Sequence, residues 1–247
     1  MTVKWPYPRV FAHRGGGTLA PENTLAAIRF GASLGFKGVE FDVMLTGDGV
    51  PVLIHDETLA RTTDRAGRVC DKSYAEIAGL DAGRWRGSKW RGEGIPTFEQ
   101  AAKLCLELGL RVNAEIKPAT GYERRTGEAV ARLARRLWQG AAQPPLLSSF
   151  SPVALAAARH AAPELPRGLL VRRIPPHWRE LLRDLECLSL HCGHRALKLR
   201  QAEAIHRAGY AVLCWTVNDR RSARRLLRLG VDGLVTDALK RIGPGFA

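Results

Sequence analysis

The segment "RVNAEIKPATGYERRTGEAVARLARRLWQGAAQPPLLSSF", residues 111–150, decides the architecture. It opens on a short apolar run, 111–117, and closes on another, 145–150. Between them lies an amphipathic stretch, 123–138, set off by glycine and proline on both sides. The outer runs read as strands and the middle as a helix. Two strands joined through a helix lie parallel, with a right-handed crossover.

The same unit recurs in both directions. Downstream, strands at 167–171, 187–191, 211–217 and 233–237 alternate with helices at 152–161, 176–184, 198–207 and 219–229. Upstream come strand 9–14, helix 22–35 and strand 38–43, with "PVLIH" (51–55) as its continuation past the turn "TGDG". Helix 97–108 follows, with Thr97 as N-cap and Gln100 three residues on. Eight such strand units in 247 residues match a (β/α)₈ TIM barrel in size. An open doubly wound sheet is the alternative, but its G-x-G-x-x-G turn is missing. No linker divides the chain, so a single domain over 1–247 is expected. The polar, Gly-rich stretch 57–95 reads as a small insertion on one rim after strand 2.

Composition narrows the class. The hydrophobic content of 45% and charged content of 25% are those of a globular protein. No run approaches a membrane-spanning length, and the first residues lack a signal peptide's apolar core, so a cytoplasmic protein without membrane insertion is expected. Five cysteines, an odd and scattered set, form neither a disulfide framework nor a zinc pattern; Cys105, Cys187 and Cys214 sit in apolar runs, as reduced core thiols do. The net charge of +14 is carried mostly by arginine at amphipathic helical spacing. Without interleaved aromatics or a recognition motif it reads as solvated helix faces, not as a nucleic-acid surface, although it would attract small anions.

In a barrel of this kind the chemistry sits at the C-terminal ends of the strands. There the sequence places His13-Arg14, Glu40 and Asp42, His55-Asp56, Glu115 and Lys117, Ser148-Ser149, His191, Trp215 and Thr236-Asp237. Glu40 and Asp42 share one strand face by the period of two, as do Glu115 and Lys117. Three converging carboxylates repel one another and shift upward in pKa. Two arrangements relieve this. The acids hold a hard divalent cation, Mg²⁺ or Ca²⁺, which oxygen ligands suit, or they pair with Arg14 and Lys117. Position alone leaves both open.

His13 and His55 are candidates for general acid and base. Arg14 and Lys117 are donors suited to a phosphate, and Gly15, Gly16 and Gly17 would let backbone approach a ligand. A cation, two bases and two histidines together suit phosphoryl chemistry. Asp48 reads as a cap of the "TGDG" turn; Asp237, His191 and Ser149 have no assigned role.

These residues resemble the glycerophosphodiester phosphodiesterase family, of the bacterial cytosolic type. "AHRGGGTLAPENTLAAI" is similar to its opening signature and "GVEFDVMLTGDGVPVLIHDETLARTTDRAGRV" to its central one. "DAGRW", "IPTFEQ", "NAEIKP", "SSF", "CWTVN" and "GVDGLVTD" follow in the family's order; residues 160–200 carry the least of it. The resemblance implies a TIM barrel and metal-dependent hydrolysis of glycerophosphodiesters to sn-glycerol 3-phosphate and an alcohol, through a cyclic glycerol phosphate, in lipid and glycerol metabolism. It implies His13 and His55 as catalytic, Glu40, Asp42 and Glu115 as ligands of the divalent cation, and Arg14 and Lys117 as phosphate contacts. Trp215 would form a less polar side of the pocket, with Glu22 and Asn23 as supports. Residues 57–95 match the family's capping insertion; their shortness implies an open site and a small or varied alcohol. A relative cleaving lysophospholipids, in the manner of a lysophospholipase D, would use the same residues. The sequence does not separate the two histidine roles, choose Mg²⁺ or Ca²⁺, or disclose an oligomeric state.

Overall fold

The structure is a computed structural model that describes residues 5–195 and 197–247; the first four residues of the stretch 1–17 read for a signal peptide lie outside them. In chain order the strands are β1 (Val10–Ala12), β2 (Gly38–Leu45), β3 (Pro51–Leu53), β4 (Arg111–Ile116), β5 (Leu146–Ser149), β6 (Arg167–Val171), β7 (Ser189–Gly193), β8 (Ala211–Trp215) and β9 (Gly233–Thr236). All but β3 run parallel, each beside the next, and β1 pairs with both β2 and β9, which closes the ring. The fold is therefore the expected TIM barrel. The segment 51–55 is not barrel staves: β3 runs antiparallel to the end of β2, with Val43 opposite Leu53.

Helices α1 (Leu25–Ser33), α3 (Phe98–Glu107), α4 (Glu123–Leu137), α5 (Pro152–Ala161), α6 (Trp178–Asp184), α7 (Leu199–Arg207) and α8 (Arg220–Arg228) form the outer layer, and the one-turn α2 (Tyr74–Ile77) lies in the insertion. The expected cap of α3 is present: Thr97 Oγ1 accepts from Gln100 N at 3.1 Å and Gln100 Oε1 from Thr97 N at 2.8 Å. All eight residues of β2 are buried, as a strand covered on both faces requires. Val39, Phe41 and Val43 pack outward with Phe98, Ala102 and Cys105 of α3 and with α4. Glu40 and Asp42 thereby face the barrel interior. Deeper in that interior, Phe11, Leu146, Leu213 and Val235 fill the space below the polar residues. All five cysteines are buried and unpaired.

Two boundaries depart from the periodicity. The expected strand 187–191 is β7, Ser189–Gly193. The buried Arg167 guanidinium donates to the carbonyls of Leu185 and Glu186, so the chain enters register with β6 only at Ser189. His191 consequently lies mid-strand and buried, with its Nε2 2.9 Å from Ser189 Oγ. Residues 57–95 are less polar than they read: Leu59, Val69, Cys70, Ile77, Ala82 and Ile95 pack against Met44, Val52 and Ile54 as a core of their own.

Helix α1 presses on the loop that follows β1. A Cβ on Gly31 would lie 2.2 Å from the Gly15 carbonyl oxygen. Alanine gains about 1 kcal/mol of helix propensity over glycine, while overpacking against fixed backbone costs about 1–3 kcal/mol. Gly31→Ala should therefore lower the melting temperature, and also the activity, because the loop carries His13 and Arg14. Thermal unfolding beside an activity assay checks this; an unchanged melt would mean that α1 can slide.

Candidate active site

Strand register assembles the acids. Asp42 lies level with Glu115 and Glu40 with Asn113 across the β2–β4 pair. One ligand oxygen from each of Glu40, Asp42 and Glu115 lies within 4.8 Å of the others, all three residues being buried. Burial pushes Glu40 up to about 7, against the opposing charge of His13 and with the help of Asp42, and burial and then Asp42 push Glu115 to about 8. Asp42 is also dry, but Lys117, Arg14 and His55 outweigh its burial and hold it below the usual carboxylate range. Asn23 adds a two-way clamp: its Nδ2 donates to Asp42 Oδ2 at 2.8 Å and its Oδ1 accepts from Asp42 N at 3.1 Å. Asn23 does so at φ 57°, the left-handed region that asparagine tolerates.

The two bases reach into this cluster. Lys117 Nζ is 3.4 Å from Asp42 and 3.3 Å from Glu115, and Arg14 Nε is 3.5 Å from Asp42. Arg14 Nη1 also donates to Glu22 Oε1 at 2.7 Å, and its backbone N–H to Glu40 Oε2 at 3.0 Å. The pairing that the sequence offered as an alternative to a cation is thus present, yet it satisfies the acids incompletely, because Glu40 and Glu115 remain raised.

Each histidine is held by a carboxylate to which the sequence reading gave no role. His13 Nδ1 is 2.5 Å from Asp237 Oδ1, and His55 Nδ1 is 2.5 Å from Asp56 Oδ1. A carboxylate on Nδ1 keeps the proton there and leaves Nε2 for chemistry. Asp56 Oδ2 also accepts from Arg61 Nε, and Arg61 reaches on to Glu22, with Nη1 2.7 Å from Oε2. The chain His55–Asp56–Arg61–Glu22–Arg14 joins the insertion to both sides of the site. Burial lowers the His13 pKa, but Glu40 and then Asp237 outweigh it and hold the ring above its ordinary value. For His55 burial prevails, with Asp42 opposing it, and the ring titrates low. Asp56 is held down at about 2, burial being overcome by Arg61 and His55.

His13, Arg14, Glu40, Asp42, His55, Glu115, Lys117 and Trp215 line one cavity of about 100 Å³. Its apolar wall is Trp215 with Phe150, ring centroids 5.2 Å apart, together with Leu170 and Val235. Phe150, the last residue of the run "PLLSSF", escaped notice because nothing local distinguishes it. The glycines are required by the packing of the protein itself. A Cβ would meet the protein's own chain: 2.9 Å from Ile28 N at Gly15, 2.6 Å from Ala20 Cβ at Gly16 and 2.3 Å from the Asp237 carbonyl at Gly17. Ser149 Oγ donates to the Ile116 carbonyl at 2.6 Å and braces the rim, while Asp48 bonds Thr46 Oγ1 at 2.5 Å and caps its turn. His191 forms part of the cavity floor, kept neutral by burial at about 3.

The donor set fits a hard divalent cation. It is all oxygen, its 4.8 Å spread is the span of ligands about 2.0–2.6 Å from one ion, and Asn113 Oδ1 beside it is buried without a hydrogen-bond partner among the described residues. Fold and site together define a barrel enzyme whose cavity holds three buried acids, two bases and two carboxylate-held histidines. A family model described as the Glycerophosphoryl diester phosphodiesterase family matches residues 13–241. The glycerophosphodiester phosphodiesterase of Caldanaerobacter subterraneus is 36% identical over 233 residues, 92% of this chain and 93% of that one. The solved structure of an Oleispira antarctica phosphodiesterase, in complex with the product sn-glycerol-3-phosphate, superposes with a TM-score of 0.90 at 40% identity, covering 94% of each chain. The glycerophosphodiester phosphodiesterase structure from Agrobacterium tumefaciens gives 0.77 at 26% identity, over 93% and 96% of the two chains. The chain belongs to the glycerophosphodiester phosphodiesterase family.

Asp237→Asn should shift the pH profile of kcat/KM. The Asp237 charge helps hold His13 above its ordinary value, so its removal moves the limb that reports His13 to lower pH. A merely structural role would lower the rate without moving that limb.

Proposed function

We propose that the protein hydrolyses glycerophosphodiesters to sn-glycerol 3-phosphate and an alcohol. The observation that carries this reading is the pair of histidines, each fixed at Nδ1 by a carboxylate, flanking one cavity with three acids and two bases. Arg14 and Lys117 offset charge on the phosphate oxygens. One histidine takes the proton of the glycerol 2-hydroxyl as it attacks phosphorus, and the other protonates the departing alcohol oxygen. A cyclic glycerol phosphate results, and water opens it with the proton transfers reversed. Asp237 and Asp56 hold the two rings, and Trp215 with Phe150 shields the apolar side of the substrate. Glu40, Asp42 and Glu115 would hold Mg²⁺ or Ca²⁺, which supplies Lewis-acid stabilisation of phosphoryl charge when bound.

The Oleispira complex supports the product assignment, since that protein binds sn-glycerol-3-phosphate. We further read residues 1–247 as one catalytic domain, with 57–95 closing one side of its rim through Arg61 and through Glu57, whose Oε1 accepts from Thr120 Oγ1 at 2.9 Å. No helix among the described residues is long and apolar enough to cross a membrane, which accords with a cytoplasmic enzyme acting on water-soluble diesters. Release of glycerol 3-phosphate from glycerophosphocholine and glycerophosphoethanolamine, with EDTA, Mg²⁺ and Ca²⁺ in parallel, tests the proposal. Cation-restored release is expected. Cleavage of lysophosphatidylcholine alone would instead establish the lysophospholipase D-like alternative.

A further inference from the structure

The catalytic cavity, at about 100 Å³, is below the roughly 300–1,000 Å³ of sites that enclose a drug-sized ligand. It houses a phosphoryl group and a small fragment, and the rest of a diester must leave over the rim. Across the mouth from β1, β2 and β4, the loops after β6, β7 and β8 form an open groove of about 680 Å³. Trp215 and Thr216 line both spaces and so form their shared wall.

The groove is basic. Arg172, Arg173, His194, Arg195 and Lys198 line it. Among the described residues no carboxylate lies within ion-pair distance of any of them. On α4, two of the five arginines are paired, Arg132 with Glu128 and Arg136 with Glu99; in the groove none of the basic residues is. The groove is also braced. Gly193 is tight against the Arg172 carbonyl, which a Cβ would approach to 2.9 Å. Arg225 of α8 donates to the carbonyls of His194, at 2.8 Å, and Leu197, at 3.3 Å. His194 N donates to the Trp215 carbonyl at 3.0 Å, which ties the groove to the wall of the catalytic cavity.

Unpaired guanidinium and ammonium groups held side by side repel one another, and an anion relieves this; arginine takes phosphate oxygens in pairs. We propose that this groove is a subsite for a second phosphate on the alcohol side of the substrate. The protein then favours glycerophosphodiesters whose alcohol itself carries phosphate over those with a cationic or neutral alcohol. The inference rests on the hydrolysis proposed above and names its substrate class.

The test compares kcat/KM of the full-length protein on bis(glycerophospho)glycerol and on glycerophosphocholine, in the wild type and in R172A/R173A/K198A. Charge-assisted hydrogen bonds correspond to about tenfold or more in affinity per contact. The wild type should therefore prefer bis(glycerophospho)glycerol by at least about tenfold at low salt, through KM, with the preference shrinking as salt screens it. The triple variant, its fold checked by circular dichroism, should lose that preference. Equal kcat/KM for the two substrates in the wild type, or a salt-insensitive preference that the variant retains, overturns the subsite. Hydrolysis of neither substrate overturns the reaction itself and the subsite with it, so the two failures are told apart.

Discussion

His55→Ala and His13→Ala should each lower kcat by about 10²–10⁴-fold, the worth of a positioned general acid or base. The substitutions leave the surroundings intact. Without His55, Asp56 keeps Arg61 at 2.5 Å; without His13, Asp237 keeps the Asn218 side-chain amide at 3.1 Å. His13→Ala also removes the ring 3.8 Å from buried Glu40, which can take up a proton because burial already raises it to about 7, so both variants should fold and bind substrate, with KM little altered. The double variant should cost far less than the product of the two single losses, because groups that act as a unit are not additive. Steady-state kinetics on glycerophosphocholine, beside thermal unfolding, reads all three. Retention of more than about a tenth of kcat by either single variant would remove that histidine from the proton transfers.

Glu115→Gln should have opposite effects on activity and on cation-free stability. Burial and then Asp42 raise Glu115 from 4.5 to about 8 in the folded protein. Between those values the folded state binds a proton that the unfolded chain has lost, so stability falls as pH rises through the interval. Glu40, raised to about 7, acts in the same direction. Glutamine removes one of these titrations, so the variant in EDTA should lose less stability between pH 5 and 8 and should be the more stable protein at pH 8. A divalent cation should raise the melting temperature of the wild type at pH 8 and that of the variant much less. Activity should fall by at least about 100-fold, since removing even an outer partner of a metal ligand costs 10–100-fold in affinity or rate. A variant whose melting temperature rises with Mg²⁺ or Ca²⁺ as much as the wild type's would place the cation elsewhere. The salt bridges of Arg14 and Lys117 would then be the acids' whole purpose.

The barrel and the core of the site were legible in the sequence, for different physical reasons. The eight-fold alternation was visible because a parallel strand and the helix that covers it each impose a local period on apolar residues. Every strand of the ring lies within two residues of its expected bounds. Glu40, Asp42, Glu115, His13, His55, Arg14, Lys117 and Trp215 were legible because a barrel confines chemistry to strand ends, and all eight line one cavity. What escaped, apart from Asp56 on its own neighbour His55, were pairings between residues far apart in the chain. Asp237 reaches His13 only because β9 closes onto β1, and Arg61 reaches Glu22 only because the insertion folds back over α1. His191 read as a rim residue until the buried Arg167 delayed the start of β7 and set it mid-strand. The glycine run reads as room for a ligand, and the tertiary structure adds a second reason for it: α1 and the chain after β9 pack where a Cβ would lie. Residue types and their local period belong to the sequence and determined the fold class and the chemical inventory. Ring closure and loop packing bring distant positions together, so only the tertiary structure decided which carboxylate holds which histidine and which arginines stay unpaired beside Trp215.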